Sequence, residues 1–73
     1  MIKKEMSHPS YYCWIPDIEC IDVAKHFSYC LGAAIKYIWR AGRKNSESAI
    51  SDLKKAREYL TYEIERLSKE SVD

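Results

Sequence analysis

The segment 31-LGAAIKYIWRAGRK-44 decides the fold, because on a 3.6-residue repeat it sorts into two chemically different faces. Leu31, Ala34, Ile35, Ile38 and Ala41 share one side, and Gly32, Lys36, Arg40 and Arg43 share another. The first side needs a core and the second needs an anion. Ser28 supplies an N-cap and Gly42 a left-handed stop, so the segment reads as a basic helix over residues 28–42.

Downstream, Asn45 or Ser46 opens a last helix over residues 46–68, with Glu47 in its first turn. Ile50, Leu53, Leu60, Ile64 and Leu67 follow at steps of three and four, and Arg57 interrupts this apolar seam as a polar layer. The short link after Gly42 makes the two long helices antiparallel neighbours. Upstream, Asp17 caps a short helix over residues 17–27 whose apolar side is Ile18, Ile21, Val23 and Ala24. Residues 1–16 hold both prolines with His8, Tyr11, Tyr12 and Trp14, the composition of an irregular aromatic arm. The expected architecture is all-α: one domain over residues 1–73, an antiparallel helical hairpin with a short N-terminal helix and arm. A chain of 73 residues buries little surface alone, so the hairpins are expected to assemble as a homo-oligomer that covers the seam.

Twelve Lys and Arg against eleven Asp and Glu give a net charge of +1, which excludes a protein that coats nucleic acid by bulk attraction. No apolar run approaches the roughly 20 residues that cross a bilayer, and the N-terminal stretch MIKKEMSHPS lacks the apolar core of a signal peptide. The expectation is a cytosolic protein without a membrane partner. Cys13, Cys20 and Cys30 are odd in number and show no CxxC spacing, so they read as reduced thiols, with Cys20 and Cys30 as fully buried small hydrophobes.

Lys36 and Arg40 stand one turn apart, where like charges cost a helix about 0.2–0.5 kcal/mol, and Arg43 and Lys44 add cations to the same end. Two accounts offset that repulsion. In one, the cations favour the helix C-terminus and pair with Asp52 or Glu58 of the next helix. In the other, Lys36 and Arg40 hold phosphate oxygens, Gly32 leaves room for a ligand or a second backbone, and Tyr11, Tyr12, Trp14 and Trp39 stack on a base. Cations beside rings suit a nucleotide better than bare phosphate.

Signals for catalysis are weak. There is no GxxxxGK[ST] loop, and two glycines cannot build a phosphate cradle. His26 and Cys30 at i, i+4 begin a zinc site with Cys20 or Cys13 only if a second pair exists, and none has ligand spacing. Glu58, Glu63 and Glu65 read as a solvated helix face rather than a Mg²⁺ site. No catalytic residue, metal ligand or cofactor is therefore nominated.

Together, LGAAIKYIWRAGRK, the later DLKKAREYL, the preceding ECIDV and a histidine with a tyrosine three residues on resemble a small phage protein family known as nucleotide kinases. The resemblance spans roughly residues 8–66; the family pattern carries Asn at the position of Ala33. It implies nucleotide chemistry and adds His8 and Tyr37 to the binding candidates, beside Tyr11, Tyr12, Gly32, Lys36, Trp39, Arg40, Arg43 and Lys44. A looser similarity of build links the chain to phage sponges that sequester cyclic oligonucleotide signals of antiphage defence between protomers, in the cytoplasm of the host. The reading favoured is a nucleotide-binding protein that sequesters a cyclic ligand without catalysis. A nucleoside monophosphate kinase is the alternative, and a helical adaptor for a host protein the third.

Overall fold

The computed structural model describes residues 9–44 and 48–70. His8 and the expected helix opening at Asn45 or Ser46 lie outside them. The order of elements is a 3₁₀ turn, Ser10–Tyr12, then α1, Cys20–Ala24, α2, Tyr29–Arg40, and α3, Ala49–Glu70. The fold is all-α. The C-terminal end of α2 meets the first turn of α3 through Arg40 and Asp52, and Tyr37 packs on Tyr59 further along, so the two long helices form the antiparallel pair expected.

The short helix is briefer than the expected 17–27. Asp17 does not cap it, because Asp17 sits in a left-handed turn at φ 67°, a conformation that aspartate tolerates. Glu19 is the N-cap instead: its N–H donates to the Asp22 carboxylate at 2.7 Å, half of a capping box. Beyond Ala24 the chain continues as turns, with the His26 and Phe27 N–H groups bonding back to Val23 and Ala24. α2 follows its expectation closely, from the Ser28 N-cap to Gly42 at φ 78°. Among the described residues α3 begins at Ala49. Ser48 Oγ accepts from the Ser51 N–H at 3.0 Å, so Ser48 is the cap and Ala49 the first helical residue.

Packing differs from the simple picture of apolar stripes turned inward. Against α2, α3 presents Asp52, Ala56 and Glu63, all buried, while the seam from Ile50 to Leu67 faces outward. Ile38, assigned to the core side of α2, is also exposed. Among the described residues the buried apolar side chains are Cys20, Ala34 and Ala56. Cys30 is half-buried rather than fully covered as expected, and all three cysteines are outside any disulfide. The Cα trace is 48 Å by 30 Å but only 15 Å deep, little more than one layer of helices, so few side chains can be covered from both sides. No helix among the described residues is long and apolar enough to cross a membrane.

Candidate functional site

The aromatic arm lies across the C-terminal half of α2 and is pinned by two reciprocal bonds. Trp39 Nε1 donates to the Tyr12 carbonyl at 2.9 Å, and Trp14 Nε1 donates to the Trp39 carbonyl at 2.8 Å. Both indoles thereby use their one polar atom as a tie, with their rings tilted at 6.0 Å. Arg43 stacks its guanidinium 3.6 Å above the Trp14 ring, and Lys44 stands 5.7 Å from the Tyr11 ring. Tyr11, Trp39, Arg43 and Lys44 are thus gathered at one end of α2.

Arg40 is next to this cluster but turns inward. Its Nε and Nη2 each reach Asp52 Oδ1 at 3.0 Å, and Nη1 lies 3.4 Å from the Tyr12 hydroxyl. Arg40 is 5% exposed and Asp52 0%. Burial opposes the guanidinium charge, and the bonds to Tyr12 and Asp52 outweigh it, so the arginine stays firmly protonated. Asp52 Oδ2 is buried without a hydrogen-bond partner. The pairing with Asp52 is one of the two outcomes open to the basic stripe from sequence, and it places Arg40 as a strut between helices.

One turn earlier the same helix face opens into a groove of about 520 Å³, bounded by α1, the first two turns of α2, Tyr12 of the arm and Tyr59 of α3. Gly32 forms part of its floor. A Cβ there would stand 3.1 Å from the Ala24 carbonyl oxygen, so glycine permits the close approach of α1 to α2 that shapes the wall. The second backbone, rather than a ligand, occupies the space the glycine frees.

Lys36 rises from this groove, exposed, with no ion-pair partner among the described residues. Its Nζ is 5.0 Å from the Tyr37 ring, which also has Arg40 at 4.7 Å and Lys55 at 5.4 Å. Tyr37 stacks on Tyr59 at 5.9 Å and 14°, and Tyr29 and Tyr62 meet Tyr59 edge-on. The Tyr59 hydroxyl is pushed up, first by its hydrogen bond with Tyr29, so it remains a neutral donor. Burial likewise pushes the Cys20 thiol up against the opposing pull of Lys36, which makes Cys20 a wall residue rather than an activated nucleophile. Lys25 adds a second cation, and Glu19 is the carboxylate of the lining.

Of the candidates from sequence, Tyr12, Gly32, Lys36 and Tyr37 line the groove. Tyr11, Trp39, Arg40, Arg43 and Lys44 do not. Sequence reasoning missed Tyr29, Tyr59 and Lys55. A usable signal existed for Tyr59 in its place within DLKKAREYL, directly after the Lys-rich turn. Among the described residues no three His, Cys, Asp or Glu side chains converge as a metal site.

Residues 6–61, which include every residue of the groove lining, match a family described as a protein of unknown function, DUF3310. The chain belongs to the DUF3310 family. It is also 35% identical over 66 residues to the Gene 1.7 protein of Enterobacteria phage T3, a match covering 80% of this chain. The chain spans only 40% of the length of that relative. No solved structure matches the chain.

Proposed function

We propose that this DUF3310 protein binds a nucleotide in the groove beside Lys36 and sequesters it without turnover, the ligand class being a cyclic oligonucleotide of antiphage defence. The observation that carries the reading is Lys36 itself, a cation without an ion-pair partner among the described residues, set in a groove that Tyr12, Tyr37 and Tyr59 also line. The ammonium would take a phosphate oxygen and a tyrosine the base, a division of labour worth about 1–3 kcal/mol for each stacked base. The groove volume falls within the roughly 300–1,000 Å³ of small-molecule sites. Arg40 contributes here through the Tyr37 ring it leans on, and Lys25, which also lines the groove, would share the charge of a second phosphate.

Sequestration is favoured over phosphoryl transfer by what lines the groove. A kinase must align two phosphorylated substrates and neutralise the developing charge, usually through Mg²⁺ held by carboxylates. Glu19 is the groove's carboxylate, and it is engaged as the cap of α1. The kinase alternative rests on the resemblance of the central motifs to phage nucleotide kinases, and the adaptor reading on exposed Tyr29 and Phe27 beside the groove.

One experiment separates them. The protein is incubated with linear nucleoside monophosphates plus Mg²⁺-ATP, and in parallel with cyclic di- and trinucleotides, then heated and chromatographed. Sequestration predicts a cyclic species retained by the folded protein and released chemically intact. Formation of a diphosphate above a buffer control would replace it with the kinase reading. Absence of any retained or converted nucleotide would leave the adaptor reading in its place.

A further inference from the structure

The outward stripe of α3 has a stricter order than an exposed face requires. Ile50, Leu53, Arg57, Leu60, Ile64 and Leu67 fall at alternating steps of three and four, the a and d positions of a heptad, with Ile at two a positions and Leu at every d. That is the narrow seam of a two-stranded coiled coil rather than the wider stripe by which a helix joins a globular core. The five aliphatic side chains are each between 40% and 66% exposed. α2 occupies the adjoining face of α3, through Asp52, Ala56 and Glu63, and leaves the seam clear along some 25 Å of helix.

We infer that the seam is the surface on which a second copy of this chain docks, with the two α3 helices antiparallel about a two-fold axis between Arg57 and Leu60. Three features of the stripe select this occupant and this direction. The order is near-palindromic: reversing one copy sets Ile50 on Leu67, Leu53 on Ile64 and Arg57 on Leu60, so every layer of one helix finds an equivalent layer in the other. An isologous interface needs such self-complementarity. A parallel pair would instead set Arg57 against Arg57 in a closed layer, where like charges repel. Finally, the antiparallel register brings Lys54, flanking the seam, to within two residues, about 3 Å of helix rise, of the level of Glu65 of the second copy, twice by symmetry, whereas a parallel pair sets Lys54 beside Ala49. A 15 Å slab with three buried apolar side chains among its described residues also has the most to gain from covering one more face.

The inference is independent of any nucleotide, and its test uses none. Sedimentation equilibrium of the whole chain is expected to give at least twice the 8.6 kDa of one chain at micromolar concentration. The variant Ile50→Cys/Leu67→Cys should form a covalent dimer under mild oxidation, since residues at opposite ends of one helix cannot meet each other but meet across the two-fold. Ile50→Cys alone, whose two copies lie at opposite ends of the antiparallel pair, should form none beyond the wild-type control, which carries the native Cys13, Cys20 and Cys30. Circular dichroism verifies that each variant is helical, and Leu53→Cys/Ile64→Cys, the next layer inward, stands in for any that is not. A species of 8.6 kDa, cross-linking through Ile50→Cys alone, or no dimer from either double variant would each overturn the proposal.

Discussion

Arg40 and Lys36 occupy one face of one helix, four residues apart, and the fold uses them in opposite ways. Around Arg40 the arm, α2 and α3 converge: the guanidinium is buried, bonded twice to Asp52 and close to Tyr12. Around Lys36 the same three elements diverge into a groove, and the ammonium has tyrosine rings for neighbours instead of a carboxylate. The charge type is the same at both positions, so spacing and residue type do not separate a structural cation from an available one. What separates them is the partner on the adjacent helix. Asp52 lies opposite Arg40, and about two turns further along α3 the residue facing α2 is Tyr59.

Breaking the Arg40 side should have the largest effect. Arg40→Ala leaves Asp52 buried without its counter-charge and is expected to destabilise the fold by about 3–5 kcal/mol, read as a lower urea midpoint. Replacing the pair together, as Arg40→Met with Asp52→Leu, should recover most of that loss, because two buried charges and their desolvation disappear at once. If the single and double variants lose equal stability, the contact is packing rather than an ion pair.

Gly32→Ala probes the wall between the two regions. The added methyl meets the Ala24 carbonyl, backbone that cannot rotate away, so a loss of about 1–3 kcal/mol is expected in thermal or urea unfolding. Unchanged stability would mean that α1 can move aside.

The smallest effect belongs to the far end of α3, where Arg66 bonds Glu63 at 2.7 Å and Glu70 at 2.6 Å. The hydrogen bond from Arg66 holds the Glu63 carboxyl below the ordinary value of 4.5 against the opposing cost of burial, and the Arg66 charge adds to the lowering. A carboxylate with a depressed folded-state pKa contributes stability above its unfolded value, and that contribution is lost as pH falls through the lower folded value. The melting temperature difference between wild type and Glu63→Gln should therefore shrink as pH falls from about 5 towards about 2. A difference independent of pH would assign Glu63 no electrostatic role.

Much of this architecture was legible before any coordinates. Gly42 takes the positive φ that its place after the basic helix requires, and the seam of α3 announced a long helix. The orientation of α3 was not legible, because an apolar stripe ordinarily points inward, whereas here small and polar residues face α2. The start of α1 was misplaced because Asp17 and Glu19 both resemble caps, and the left-handed turn at Asp17 hands the role to Glu19. The candidate site was half legible. Lys36, Tyr37, Gly32 and Tyr12 came from one motif and the arm, whereas Tyr29 and Tyr59 join them only once the hairpin closes.

The division between the two cations is tested most directly by Lys36→Ala, with calorimetric titration of cyclic di- and trinucleotides and urea unfolding measured on the same preparation. Stability within about 0.5 kcal/mol of wild type, together with an affinity reduced by about 1.5–3 kcal/mol, is the predicted result. Nucleotide affinity unchanged in Lys36→Ala, or lost only in step with the fold, would contradict it.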